Sequence, residues 1–481
     1  MKKLRNKLVW AFLLMIWALL VVIGHADAEE IEETQLYAQA AVLLDADSGR
    51  VLYGKNEDQV LAMASTTKIM TCIIALEYAQ PEEMVDISSY AAGMPAVKLG
   101  VRKGEQYQLR DLLYSLMLES HNDAAVAIAE HVGKQVLEEE SGRSDASAES
   151  GVQSVPDQAE SKSAANYTVE ESKQAVAAFA GLMNEKAKEL GCENTWFITP
   201  NGLDAEEIIQ TEDGETLEKF HSTTAEELAK IMSYCIMDSP MSEPFLEITQ
   251  TPTHTFSCEN GRTFACYNHN AFLNMMPDAI SGKTGFTNRA GYCYVGALEN
   301  EGRTFVVALL ACGWPYNKNY KWSDTRKLME YGMDHYYYRS FLDEGTVFDR
   351  KWLEPVQVIN GQTDVLGEQA YVQVEVQGTE EWSDEGSAGA VEGGAESDDF
   401  EESSGQLSGL LMKAGEEIVV EYSQKKMLTA PVEESTSVGE VRYMVDGVTY
   451  RTEEIVTTGS VEAIDWQWCL EQIFSRYFIN D

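Results

Sequence analysis

Basic side chains are scarce in this sequence. Its 481 residues carry 36 lysines and arginines against 79 aspartates and glutamates, a formal charge of −43. A chain so charged repels nucleic acid and anionic lipid alike, which excludes both as general partners. Much of the excess sits in two tracts, so it marks solvated insertions rather than a site. Histidine is sparse too, and none of the seven makes H-E-x-x-H or a similar pair, so zinc peptidase chemistry has no ligand set. The eight cysteines (Cys72, Cys192, Cys235, Cys258, Cys266, Cys293, Cys312 and Cys469) show no C-x-x-C pair and no zinc-ligand spacing. The sequence therefore calls for no metal and no cofactor. Most cysteines sit in apolar runs and read as buried thiols. Cys258 and Cys266 flank the hairpin signal Asn260-Gly261, in a register expected to set Cys258 opposite Thr263 and Cys266 opposite Thr255. The two are then not directly opposed, and no essential disulfide is expected.

An apolar run also stands at the N-terminus, Leu8 to Ile23, and it is short of the roughly 20 residues that span a bilayer as a helix. Lys2, Lys3, Arg5 and Lys7 precede it, and Ala26-Asp27-Ala28 supplies small residues where a signal peptidase reads. Residues 1–28 read as a signal peptide. The mature chain is expected outside the cytoplasm, at the outer face of the cell membrane or in the cell wall.

Length favours two or three domains at roughly 150 residues each. Residues 39–54 read as two strands around Asp45-Ala46-Asp47-Ser48-Gly49. From Ser65 the pattern turns helical, with Ile69, Cys72, Ile73 and Leu76 on one face. Leu112 to Met117 and Ala124 to Val132 are also helical, interrupted at residues 119–123. Residues 138–171 lose periodicity and read as a disordered acidic insertion. Helices at 178–190 and from Thr224 follow, and then a strand pair, Tyr292 to Leu298 and Thr304 to Ala311. Residues 29–345 are expected to form one domain. Residues 346–455 read as a smaller β-rich domain interrupted by a second acidic tract, 379–405. The stretch 460–481 reads as an amphipathic helix, and Trp466, Trp468, Leu470, Ile473, Phe474, Tyr477 and Phe478 suit either a membrane surface or docking on the β-rich domain, since the segment is net acidic. No internal repeat is present.

Three short motifs occur in order: Ser65-Thr66-Thr67-Lys68, Ser120-His121-Asn122 and Lys283-Thr284-Gly285. Each is weak alone. Ser65 alone also reads as a simple cap on the helix that follows it, and Ser423-Gln424-Lys425-Lys426 matches S-x-x-K by chance. Together they supply the parts of acyl transfer. Residues three apart on a helix share a face, so Lys68 can bring its amine to the Ser65 hydroxyl. A lysine serves as base only when neutral, and burial or a neighbouring cation such as Lys283 lowers its pKa. Ser120 is expected to pass a proton to the leaving amine and Asn122 to orient Lys68. The N–H groups of Ser65 and of Phe286, just past a KTG turn, are candidate oxyanion donors.

The stretch Ala64 to Thr71 resembles the nucleophile motif of the low-molecular-mass penicillin-binding proteins, the D-alanyl-D-alanine carboxypeptidases of peptidase family S11. The similarity extends through residues 45–49, Asn122-Asp123-Ala124-Ala125, Asn201-Gly202-Leu203-Asp204, residues 283–287 and Trp322-Ser323-Asp324, covering about 38–340. The resemblance implies an α+β, β-lactamase-like fold, an antiparallel sheet packed against helices, followed by the smaller β-rich domain. It implies a serine acyl-enzyme on Ser65, with Lys68, Ser120 and Asn122 catalytic. Lys283, Thr284, Gly285 and Phe286 would bind a stem peptide of peptidoglycan ending in D-Ala-D-Ala, and β-lactams would be captured covalently. The sequence departs from the family at His121, where relatives usually have Gly, at Phe286, often His, and at Glu226, often Arg; Arg289 is a candidate replacement for that charge. A β-lactamase reading lacks the E-x-x-L-N carboxylate, and a P-loop reading fails at Pro277. A receptor that acylates without turnover is the non-enzyme alternative, separated by release of D-alanine.

Overall fold

The computed structural model describes residues 31–148, 163–210, 214, 216–341, 348–377 and 407–478. The expected signal peptide at 1–28 and the expected acidic tract at 379–405 lie outside them. The chain divides into two units, Met1–His335 and Tyr336–Asp481, ten residues earlier than the composition suggests.

The first unit is built on a five-stranded antiparallel sheet. Its strands are β1 (Ala40–Asp45), β2 (Val51–Lys55), β3 (Ala279–Thr287), β4 (Gly291–Asn300) and β5 (Arg303–Leu310). Their order is β2-β1-β5-β4-β3, which leaves β3 at an edge. The unit also holds helices α1 (Lys68–Tyr78), α2 (Leu109–Leu118), α3 (Asn122–Ala148), α4 (Val169–Glu189), α5 (Ala225–Ser233) and α6 (Tyr320–His335), with further short helices and hairpins between them. Strands β1 and β5 are apolar at nearly every position and buried throughout, because both faces are covered. Val42, Leu44, Val306 and Ala308 join the main core with the helices α1 to α5. Their neighbours Leu43 and Phe305 point the other way, onto Gly332 of α6. That glycine lets the helix lie close; a Cβ there would meet both side chains at about 3 Å.

Two expectations are corrected here. Residues 138–148 continue α3, and 163–171 hold a 3-10 turn and the start of α4, so both ends of the expected insertion belong to the fold; residues 149–162 lie outside the described residues. Once α3 is nucleated by its buried first turns, adding residues costs little even where the sequence is polar. Helix α4 begins at Val169 with a capping box between Thr168 and Glu171. The cysteine hairpin also shifts register by one: Cys266 lies opposite His254, and Cys258 sits in the turn, its N–H donating to Arg262 O. The Asn260 side chain fills that wider loop, accepting from the Cys258 thiol and Arg262 N. All eight cysteines are free, and seven are buried.

The second unit is mostly short strands in sheets of two, three and four, around a core that includes Phe341, Val358, Val441, Tyr443 and Ile455. Helix α7 (Trp466–Phe478) ends the described chain. Trp466, Leu470, Ile473 and Phe474 on it are exposed. Among the described residues no helix is long and apolar enough to cross a membrane.

Candidate active site

Ala64–Thr67 form a 3-10 turn that feeds directly into α1 at Lys68. Ser65 makes no cap hydrogen bond; Met63 occupies the N-cap position. The Ser65 hydroxyl, half-buried, faces Lys68 Nζ at 2.9 Å instead. Lys68 is fully buried, and its Nζ also donates to Asn122 Oδ1 at 3.0 Å and to the Asn201 carbonyl at 2.6 Å. Burial holds the Lys68 pKa well below the usual lysine value, and the Lys283 charge lowers it further. Asn122 opens α3 one residue beyond His121, so the break between α2 and α3 brings the second motif to the first. Ser120 sits in that break with φ +62, a left-handed backbone rare outside glycine. It takes a 2.9 Å hydrogen bond from Lys283 Nζ. Lys283 is buried, donates also to the Thr284 carbonyl, and is lowered to about 7 by desolvation.

Lys283-Thr284-Gly285-Phe286 lie in β3, a strand, which corrects the expected KTG turn. Gly285 serves close approach rather than turning. A Cβ on it would stand 2.9 Å from Ser65 N. Side chains alternate along β3, so Lys283 and Gly285 face the helical side while Phe286 faces away. The Phe286 ring accordingly packs on Tyr292, centroids 4.7 Å apart. Its backbone points elsewhere. Tyr292 opposes Phe286, and Tyr292 N and O are both bonded to Gly313 and Cys312 on the far side. Phe286 is therefore the non-hydrogen-bonded partner, with its N–H directed out of the open edge of the sheet.

Two supports escaped the sequence reading. The Asn201 carbonyl reaches both Lys68 and, at 3.4 Å, Ser65 Oγ. Gly202, at φ +80, presses on the Ala64 carbonyl, which a Cβ would approach to 2.0 Å. Backbone acceptors carry no motif, although Asn201-Gly202 stood within the resemblance. Asp123 accepts from the N–H groups of Leu99, Gly100 and Val101 and so holds the segment that overlies Asn122. A cavity of about 240 Å³ opens beside Ser120 and Lys283, walled by Val97, Glu119, Asn270 and Thr284 among others.

The departures from the family pattern fall around this cluster, not in it. His121 turns its Nδ1 to Ser115 Oγ at 2.8 Å, and burial keeps its pKa low. Glu226 pairs with Lys230 one turn on. Arg289 pairs with Glu206 at 2.7 Å and lies over the Phe220 ring. Ser423 lies near the end of a strand of the second unit that stops at Gln424, so Lys426 follows in a bend and not one helical turn on. Among the described residues no group of three or more His, Cys, Asp or Glu side chains is arranged to hold a metal ion.

A D-alanyl-D-alanine carboxypeptidase family model, peptidase S11, matches residues 27–136 and 165–311. The chain is 26% identical over 341 residues to the Bacillus subtilis D-alanyl-D-alanine carboxypeptidase DacF, covering 70% of this chain and 72% of that protein. It is 30% identical over 275 residues to DacB2 of Mycobacterium tuberculosis, covering 57% of this chain and 74% of that one. In fold it is similar to penicillin-binding protein 5 of Haemophilus influenzae, at a TM-score of 0.57 and 21% identity, over 90% of this chain and all of that structure.

Proposed function

Because the chain belongs to the S11 family of D-alanyl-D-alanine carboxypeptidases and is a hydrolase, we propose that it removes the terminal D-alanine of peptidoglycan stem peptides through an acyl-enzyme on Ser65. The observation that carries this is the setting of Lys68. A neutral amine has two N–H bonds and one lone pair. The Asn122 and Asn201 oxygens take the two N–H bonds, and the lone pair is left facing the Ser65 hydroxyl. Ser65 Oγ then attacks the carbonyl of the penultimate D-alanine and its proton passes to Lys68. The developing oxyanion meets two N–H donors, Ser65 at its helix start and Phe286 at the sheet edge. The amide bond breaks as the proton reaches the leaving amine through Ser120. Water, deprotonated by Lys68, then cleaves the ester and frees Ser65.

The peptide lies along the open edge of β3 as an added strand, read by main-chain groups. Lys283 and Thr284 meet its terminal carboxylate. A β-lactam occupies the same place and acylates Ser65 in the same way. The reaction takes place outside the cytoplasm, with the exposed aromatics of α7 against the membrane surface.

The test is incubation of residues 29–481 with a pentapeptide ending in D-Ala-D-Ala and, separately, with a fluorescent penicillin. Free D-alanine and a label on Ser65 are expected. Ser65→Ala should take no label while Ser423→Ala labels normally; a labelled Ser65→Ala would sink the assignment. Label without D-alanine would favour a receptor over an enzyme.

A further inference from the structure

His221 is fully buried behind the nucleophile turn, and no step above uses it. Its Nδ1 accepts from two backbone N–H groups, Ile198 at 3.0 Å and Thr199 at 3.3 Å. That nitrogen therefore carries no proton, and the neutral ring has its hydrogen on Nε2. Nε2 lies 2.8 Å from Thr67 Oγ1, which has one hydrogen of its own and lies 2.8 Å from the Ala64 carbonyl. Only one direction satisfies every atom: Nε2–H donates to Thr67, and Thr67 O–H donates to Ala64 O. Burial, with the nearby Lys68 charge, lowers the His221 pKa to about 3, so the ring keeps this tautomer through the neutral range.

Both ends of the chain of bonds reach catalytic groups. The Ala64 carbonyl belongs to the same rigid peptide unit as the Ser65 N–H, one of the two oxyanion donors. Ala64 is held at φ +49, a backbone that a non-glycine residue keeps only when its surroundings fix it. At the other end, Ile198 and Thr199 lead straight into Asn201, whose carbonyl takes a Lys68 N–H. We propose that His221 is a positioning residue that, through Thr67, holds the Ser65 amide and the Asn201 carbonyl in register for acyl transfer. This rests on the acyl-transfer reading above.

Thr67→Val keeps the shape and removes the hydroxyl; Thr67→Ser restores it. Acylation by a fluorescent penicillin is followed by stopped flow, separating non-covalent affinity from the rate of the covalent step. Thermal unfolding fixes a temperature at which each variant is folded. Removing an oxyanion donor outright costs about 10²–10³ in rate, so misdirecting one should cost about tenfold. The expected result is a covalent step slowed more than fivefold in Thr67→Val, with unchanged affinity and recovery in Thr67→Ser. His221→Asn keeps an acceptor near the Nδ1 position but cannot reach Thr67. It should slow the same step, and the double variant should be no slower than the slower single. A Thr67→Val covalent step within fivefold of wild type would overturn the proposal, as would multiplicative losses in the double variant. Should His221→Asn fail to fold, the valine and serine pair decides alone. A wild type that takes no label at all would overturn the acyl-transfer reading, and this inference with it.

Discussion

Adding one methyl group at Gly285 tests whether the site depends on the pressure of β3 against the nucleophile turn. The Cβ of Gly285→Ala would stand 2.9 Å from Ser65 N and 3.1 Å from both Ala64 Cβ and Met63 O. These are about 0.5 Å inside ordinary contact. Neither side yields easily. Strand β3 is laddered to β4 along its length, and the turn is backed by Gly202 against the Ala64 carbonyl. The strand and the turn must part, separating the Ser65 and Phe286 N–H groups. Misplacement by 1 Å can cost about 10²-fold in rate, so about half that shift should slow acylation about tenfold. Overpacking of this kind costs about 1–3 kcal/mol in stability. Gly181→Ala is the control, since it lies in α4 with nothing within 4 Å of the new Cβ, and it should acylate normally and gain about 1 kcal/mol. The assay is the second-order rate of penicillin acylation beside a thermal melt. Gly285→Ala acylating as fast as Gly181→Ala would refute the reasoning, because the donors would then not need this contact.

Other outcomes follow from the same geometry. Lys68→Arg should lose acylation by at least about a hundredfold, because guanidinium stays protonated, whereas Lys283→Arg should mainly raise KM for the carboxylate-bearing peptide. The opposite pattern, with Lys68→Arg normal and Lys283→Arg inert, would reverse the roles. Lys283 titrates at about 7 in the fold and near 10.4 when unfolded. The unfolded chain binds the extra proton between those values, so wild-type stability rises with pH across that window. Lys283→Met should melt higher than wild type at pH 6, by an amount on the order of 4 kcal/mol, and the gap should close by about pH 10; a gap independent of pH would contradict the burial argument. Removing residues 464–481 should abolish co-sedimentation with liposomes, with little dependence on salt because apolar burial drives it. Equal pelleting of the full mature chain and 29–463 would argue against a membrane role for α7.

What was legible in the sequence was local. Ser65 and Lys68 meet because they are three residues apart, and β4 and β5 because a short turn joins two apolar runs. Ser120 and Lys283 were readable as partners only by motif, since their meeting depends on the whole sheet. The supports were not readable in this way. Asn201 acts through its carbonyl, which every residue has, and Gly285 looked like a turn because a glycine required by close approach is indistinguishable in sequence. His221 looked like an isolated histidine. The start of α4 was a different case, for Thr168-Val169-Glu170-Glu171 spells a capping box that composition obscured. Residues 138–148 were hidden because helix propagation from a buried turn leaves no apolar periodicity to find.

The seven buried thiols have a consequence for how the chain reaches its native state. Burial raises the thiol pKa of Cys72, Cys192, Cys235, Cys266, Cys293 and Cys312, to about 12 for Cys192 and Cys293, so these six offer little thiolate to an oxidant. On the export route proposed above, that protection would be missing during translocation, when the chain is unfolded and all of its thiols are bare in a compartment that favours disulfides. Maturation is then a race between collapse of the core and oxidation, which takes seconds to hours. Fast folding would leave the cysteines reduced and sealed inside. A core mutation that merely slows folding would therefore do lasting harm, because mispaired cysteines would trap chains whose native fold is otherwise stable.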